Sequence, residues 1–395
     1  MREKKALTTA IVRRYQKASK KEKTQILDEF IKNTSYNRSY ARRKLNQSKT
    51  KDFRRTKKKR RVRKKEYNIA VLRPLTKVWI SQNHICGKRL KPFLPEVIRT
   101  LERDGEIRIS LEVKNKLYKI SAATIDRSLR PLRKKLELKG RSGTKPGTLL
   151  KSSIAIRTFA DWDENSPGFF EIDTVAFCGG ILSGQHVWGL NFTDVATGWV
   201  GLDATMGKGQ YGIHEATKRI QARLVFRILG IDSDNGSEFI NGIMQRFCEK
   251  HKITFTRIRP GKKNDNCYVE QKNYTTLRNF LGYSRYDTEE ELKIIRELLE
   301  LVEIYVNFFQ PSQKLIYKKR TGAKVYKKYD QAKTPYQRLL KSGILKKEQR
   351  KKLHRIYENW NPMKLIKKIR KLQSKLEKLN RYKLIEATNN SSVTF

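Results

Sequence analysis

The positive charge of this chain is confined to particular stretches, and that distribution most constrains how it can fold. The 395 residues carry 89 Lys+Arg against 39 Asp+Glu, a formal net charge of +50. From Asn165 to Glu300, however, 17 basic residues face 17 acidic ones. A neutral segment can condense without self-repulsion, whereas strongly basic segments need a polyanion or solvent around them. The excess lies outside this middle. Between Lys49 and Lys65, 12 of 17 residues are basic and one is acidic, and the chain is Lys-rich again from Lys314 onward. A neutral catalytic core flanked by polyanion-gripping modules is the organisation this implies.

Apolar residues make up 37% of the chain, enough to build several cores in a chain of this length. No apolar run approaches the ~20 residues of a membrane span, and the N-terminus lacks a secretory pattern. No membrane partner and a cytoplasmic, nucleoid-associated location are therefore expected. Cys86, Cys178, Cys248 and Cys267 form no CxxC pair, and His84, His186, His214, His251 and His354 are scattered. Structural zinc needs clustered ligands, so none is expected, although His84 and Cys86 are close in sequence.

The sequence divides into six parts. Residues 1–48 form a helix-turn-helix module, in which Ile26, Leu27, Phe30 and Ile31 make an apolar stripe. A second helix there carries Arg38, Arg42, Arg43 and Lys44, and short basic helices of this kind can enter a major groove. Residues 49–66 are a basic linker containing Arg54, Arg55, Lys57, Lys58, Lys59, Arg60 and Arg61. Residues 67–138 read as a second helical DNA-binding module, whose last helix presents Arg127, Arg130, Arg133 and Lys134. A Gly/Ser/Pro-containing linker covers 139–164. Residues 165–310 alternate strands and helices, and 311–395 form a basic helical C-terminal region. In that region Leu365, Ile369, Leu372, Leu376 and Leu379 make a short heptad seam, suited to packing on its own chain or on a second subunit.

The middle part predicts a mixed α/β core. FFEIDTVAF (169–177) reads as a strand, and 186–205 as two strands joined at Asp194–Gly198. Segment 225–234 reads as a buried strand and ITFTRIRP as another, with helices between and after them. A three-strand meander followed by alternating helices and strands is the ribonuclease-H-like pattern.

Three acids in this core share a chemical logic. Asp173 lies inside an apolar strand, where a carboxylate is costly unless paired or bound to a cation. Asp234 ends the strand ILGIDSD, before the turn Asn235–Gly236. Glu270 falls in the first turn of a helix, after a loop that supplies Lys262 and Lys263. Singly, each has a plain explanation: an ion pair, a turn cap, a dipole-favoured helix residue. Together they are the hard oxygen ligands that Mg²⁺ or Mn²⁺ prefers. Two such ions ~3.5–4 Å apart can activate an attacking oxygen and stabilise a leaving one at phosphorus. Asp232 shares Asp234's strand face by period-2 alternation. Asp194, Asp203 and Asp265 are further acids nearby, and Asp194 reads as closing a hairpin turn.

The segments EIDTVAF, GIDSDNGSEF and RPGKKNDNCYVEQKN resemble the integrase-core (DDE) transposases of bacterial insertion sequences. As is common in that superfamily, 35 residues separate Asp234 from Glu270. The likeness continues in TKPGTLLKSSIAIRTFADWD, TDVATGW, YVNFFQPSQKL and KTPYQRLL. It is similar to the ISNCY group, from about Asp28 to Glu358. The resemblance implies that Asp173, Asp234 and Glu270 are catalytic metal ligands holding two Mg²⁺ or Mn²⁺ ions. It also implies binding of terminal inverted repeats and target DNA, strand cleavage and strand transfer, and a homo-multimer that holds two ends. Many relatives place Lys or Arg seven residues after the Glu. Here that position is Leu277, which leaves Lys272 and Arg278 as candidate DNA contacts. A structure-specific nuclease of the same fold and a DNA-binding regulator with an inactive core are the alternatives.

Overall fold

The computed structural model of the chain describes residues 2–46, 66–134, 155–157, 166–234, 236–258, 267–321 and 324–391. The chain forms two units, Met1–Glu66 and Tyr67–Phe395. The first contains α1 (Arg2–Lys17), α2 (Lys20–Thr34) and α3 (Arg38–Asn46). Ser19 and Glu22 make a capping box that starts α2, and Ser35 ends it in the left-handed conformation, φ 56°. Helical spacing puts Ile26, Leu27 and Phe30 on one face. They meet Val12 and Tyr15 of α1 and Ala41 and Leu45 of α3 in a small core.

The second unit begins with α4 (Ile69–Ser81), α5 (Gly87–Arg103), α6 (Leu111–Lys119) and α7 (Ala122–Lys134). Their shared core is built on Leu75, Trp79, Leu90, Leu94, Ile98 and Leu117.

The sheet follows: β1 (Ala155–Arg157), β2 (Phe169–Ala176), β3 (Val187–Asp194), β4 (Val200–Met206), then α8 (Gln210–Arg223), β5 (Gly230–Ser233), α9 (Gly242–His251) and β6 (Thr254–Ile258). The strand order is β1-β6-β5-β2-β3-β4. β3 runs antiparallel to both β2 and β4, while β2, β5, β6 and β1 run parallel. Strands β2 to β6 thus make a five-stranded mixed sheet, and β1 adds a short edge strand within a stretch whose sequence reads as linker. The sheet packs against helices through Phe170, Ile172, Phe192, Leu202, Ile213 and Ile220, among others. The expected strand at 225–234 is only four residues long. Val225, Phe226 and Ile228 are buried core residues that precede it without joining the ladder.

After the sheet, α10 (Cys267–Lys272) continues through a π-helical turn, Asn273–Arg278, into α11 (Asn279–Leu281). Helix α12 (Glu289–Phe309) opens with a Thr288/Glu291 capping box. Its polar side chains close the β4 edge. Asn307 Oδ1 accepts from the Val200 N–H at 2.8 Å, and its Nδ2 donates to the Val200 carbonyl at 2.8 Å. Glu303 accepts from the Leu202 N–H at 3.0 Å, and Arg296 donates to the Ala204 carbonyl at 2.9 Å.

The remaining elements are β7 (Leu315–Thr321), β8 (Lys324–Tyr329), α13 (Pro335–Lys341), α14 (Lys347–Asn359) and α15 (Pro362–Ser391). β7 and β8 form a separate two-stranded ribbon in a region whose sequence reads as helical. Leu365, Ile369, Leu372 and Leu376 of the heptad seam are buried in the core that also contains α12, so the seam packs on its own chain. The α4–α7 group packs with these C-terminal helices. Tyr305 of α12 donates to the Ser81 carbonyl at 2.7 Å, and Arg103 pairs with Glu358 at 2.6 Å. Among the described residues no helix is long and apolar enough to cross a membrane.

Candidate active site

The sheet register brings two of the three acids together. In the parallel β2–β5 pair, Glu171 lies beside Asp232 and Ile172 beside Ser233. Asp173 and Asp234 are the next residue on each chain, so they follow at the same level where β5 ends. Period-2 alternation puts Glu171 with Asp173, and Asp232 with Asp234, on one face of the sheet. The result is two successive pairs of carboxyl groups, the inner one buried and the outer one at the strand end.

Helix α10 lies against this face. The Val269 N–H donates to Glu171 Oε2 at 2.6 Å, which anchors the first turn of the helix on β2. One turn later Asn273 Nδ2 donates to Asp173 Oδ2 at 2.6 Å. Asn273 Oδ1 in turn accepts from Asn191 Nδ2 of β3 at 2.8 Å. Glu270 sits between these two anchors, and its charge is felt by both Glu171 and Asp173. Among the described residues no group of three or more Asp, Glu, His or Cys side chains is already drawn together at metal-ligand spacing. The three acids are neighbours, with Glu270 on the exposed side of its helix.

The electrostatics follow from this crowding. Burial pushes the Asp173 carboxyl up to about 8; Asp234 adds to the rise, and Glu270 does so to a smaller degree. Hydrogen bonds from the Thr174 N–H, 2.8 Å, and from Asn273 oppose it. Burial also raises Asp234, where the Gly236 N–H at 2.9 Å pulls the other way and Glu238 adds repulsion. Glu171 is raised well above the ordinary carboxyl range by burial, with Asp232 contributing.

The sequence reading missed three contributors. Glu238 lies beside Asp234, accepting from Thr174 Oγ1 at 3.2 Å and facing Lys208 at 3.9 Å. Gly236 permits this: a Cβ there would meet the Glu238 carboxyl carbon at 2.6 Å and Asp234 Oδ1 at 2.9 Å. Glu171 and Asn273 were in plain view, two residues before Asp173 and three after Glu270. Those spacings place side chains on a shared strand or helix face, which is the signal that could have found them.

Asp265 lies outside the described residues, and Asp194 and Asp203 are tied into the fold. Asp194 closes the β3–β4 turn as expected, accepting from the Gly168 N–H at 2.8 Å, the Thr197 N–H at 2.7 Å and Thr197 Oγ1 at 2.5 Å. Asp203 is enclosed by Arg219, Arg223 and Arg296.

The expected DNA contacts fall in several environments. Arg42 and Arg43 are exposed on α3, Lys44 lies over the Tyr40 ring, and Arg38 pairs with Asp28. Arg127, Arg130 and Lys134 are exposed along α7. Arg278 donates to the Ala176 carbonyl at 2.8 Å and stacks over Phe177 and Tyr283, contacts that occupy its guanidinium. Burial pushes the Lys272 ammonium down to about 8, with Arg89 and Arg338 adding to the effect. Arg54, Arg55, Lys57, Lys58, Lys59, Arg60, Arg61, Lys262 and Lys263 lie outside the described residues.

Fold and site together define a mixed α/β protein with a crowded carboxyl cluster at the end of adjacent parallel strands. The chain is 35% identical over 323 residues to the uncharacterized protein y4rM of Sinorhizobium fredii, covering 82% of this chain and 91% of that one. It belongs to the same family as that protein. No protein-family model matches the chain. Among solved structures it is similar to the catalytic core domain of BIV integrase, at 18% identity and a TM-score of 0.31, covering 45% of this chain and 96% of that one.

Proposed function

We propose that the chain is an integrase-type (DDE) transposase of a bacterial insertion sequence, similar to the ISNCY group. In this reading it acts in the cytoplasm on double-stranded DNA, cutting at the element's ends and transferring them to a target. The observation that carries the reading is the β2–β5 register, which sets Asp173 beside Asp234 under the helix that bears Glu270. The order β6-β5-β2-β3-β4 with only β3 reversed supports a ribonuclease-H-like core.

The donor set suits hard divalent cations. Mutually repelling carboxyl groups, one of them protonated up to about pH 8, are stabilised as anions by a cation that oxygen ligands favour. Asp173, Asp234 and Glu270 would hold two Mg²⁺ or Mn²⁺ ions, which supply Lewis acidity for in-line attack at phosphorus. The chain's own residues supply position. The Thr174 and Gly236 N–H groups fix the two aspartate rotamers. Asn273 ties the Glu270 helix to Asp173 and β3, and Glu171 holds the start of that helix. Water and a DNA 3′-hydroxyl attack phosphorus along the same line, so one site serves both cleavage and transfer.

The exposed basic residues of α3 and α7 and the basic 49–66 segment support DNA binding in a helix-turn-helix manner by the N-terminal modules. Holding two ends at once calls for a homo-multimer. The test is Asp234→Asn, assayed on a labelled duplex containing an element end, with Mg²⁺. Binding is expected to persist and cleavage to vanish. Cleavage at the wild-type rate would refute the assignment.

A further inference from the structure

The β7–β8 ribbon has no core of its own. Leu315, Ile316, Tyr317, Val325, Tyr326 and Tyr329 are each 42–63% exposed. A two-stranded hairpin in water is marginal by itself, and exposed apolar side chains in such a ribbon mark a surface that is completed by something else. The cross-strand register pairs Lys318 with Lys327, Tyr317 with Lys328, and Lys319 with Tyr326. Directly opposed residues share a face, so both faces carry exposed lysines. Like charges opposite one another destabilise a ribbon unless an anion lies against it. Among the described residues none of Lys318, Lys319, Lys327 and Lys328 pairs with a carboxylate.

At the root of this ribbon is a cavity of about 260 Å³, lined by Lys327 and Tyr329 together with Arg89 of α5 and Lys272 of α10. Lys314 in the lining and Arg338 nearby are already used by the fold. Lys314 donates to the Val195 and Ala196 carbonyls, and Arg338 pairs with Asp330 at 2.6 Å. Among the described residues the Arg89 guanidinium and the Lys272 ammonium have no ion-pair or hydrogen-bond partner. Two half-buried cations without a partner share a partly open cavity, a place where an anion would supply the compensating charge. Tyr268, Gln271 and Lys272 of α10 and Thr275 of the π-helical turn line the cavity. Asn273 and Glu270 serve the carboxyl cluster, so the cavity is distinct from it.

We propose that the ribbon is a DNA-gripping arm that lies in a groove of a duplex while the cavity at its root takes a backbone phosphate of that duplex. A two-stranded ribbon fits the major groove, and tyrosines between lysines give apolar and stacking contact where the lysines meet phosphates. The inference rests on the reading of DNA as substrate and names a surface that holds it away from the carboxyl cluster.

The test uses the full chain and fluorescence anisotropy on a 30-base-pair duplex across a salt series. One variant replaces Lys318, Lys319, Lys327 and Lys328 by Gln, and a second is Arg89→Gln with Lys272→Gln. A charge-matched control replaces the exposed Lys347, Lys352, Lys371 and Lys375 by Gln. Losing four phosphate contacts should lower the slope of log affinity against log salt by about 3 to 4, and losing two by about 2. The ribbon variant is expected to bind at least tenfold more weakly at moderate salt, and the control within threefold of wild type. Ribbon and control variants that weaken equally would overturn the inference, as would loss of a wild-type dimer with DNA affinity unchanged, which would assign the ribbon to a second copy. Circular dichroism confirms that each variant folds. If wild-type protein cleaves no element end and yet the ribbon variant loses affinity selectively, the transposase reading fails and the arm stands.

Discussion

Asp173→Asn gives a sharp test of how the carboxyl cluster is strained without metal. In the folded protein burial and its acidic neighbours push Asp173 to about 8, against an ordinary 3.8. Between those values the folded state holds a proton that the unfolded state has released, so stability falls as pH rises from about 4 to 8. Each tenfold in proton affinity is worth about 1.4 kcal/mol, which makes about 5 to 6 kcal/mol the ceiling for the full loss. Asparagine is never charged and escapes it. It gives up one favourable contact, because its amide nitrogen or oxygen cannot satisfy both the Thr174 N–H and Asn273, at a cost of about 1 kcal/mol. In urea with a chelator present, the variant should be near neutral or slightly destabilised at pH 5 and more stable than wild type by about 2 kcal/mol or more at pH 8. Mg²⁺ added at pH 8 should stabilise the wild type more than the variant. A stability difference that does not change between pH 5 and pH 8 would refute the reasoning.

Two other outcomes are expected. Asp194→Ala strips the buried Gly168 and Thr197 N–H groups of their acceptor, and should cost about 3 to 5 kcal/mol in urea unfolding; a loss under 1 kcal/mol would show that the turn does not depend on it. Asn273→Ala cuts the link from Asp173 to Asn191 and should raise the Mg²⁺ needed for half-maximal cleavage by about 10- to 100-fold, with stability little changed. An unaltered Mg²⁺ dependence would make Asn273 a packing residue only.

What the sequence made legible was what burial and spacing control. Strands β2, β3, β4 and β6 and helix α8 fall where apolar patterning places them, because each buries a continuous run or stripe. Asp194 could be read as a turn residue from its place before a glycine. The β5 strand is shorter than its apolar run, since Val225 to Ile228 are buried by packing and not by pairing, and hydropathy cannot tell the two apart. The heptad seam of α15 left own-chain and intersubunit packing equally open until its partner α12 was seen. The β7–β8 ribbon escaped notice because its apolar residues, Leu315, Ile316 and Val325, stand beside runs of lysine and tyrosine without the period-2 alternation that marks a half-buried strand. Of the candidate site, the acids themselves were visible; their supports, Glu171, Glu238 and Asn273, are defined by who faces whom across a sheet, which a linear sequence does not state.

The way α12 treats the edge of the sheet limits how copies of this protein can join. Val200, Leu202 and Ala204 are β4 positions whose main-chain groups point away from β3: Asn307 engages both groups of Val200, Glu303 and Arg223 the N–H and carbonyl of Leu202, and Asp203 and Arg296 the N–H and carbonyl of Ala204. A neighbouring chain arriving at β4 between Val200 and Ala204 would find these donors and acceptors already engaged. Along this edge two copies of the chain can therefore touch and part without fusing their sheets into one ladder.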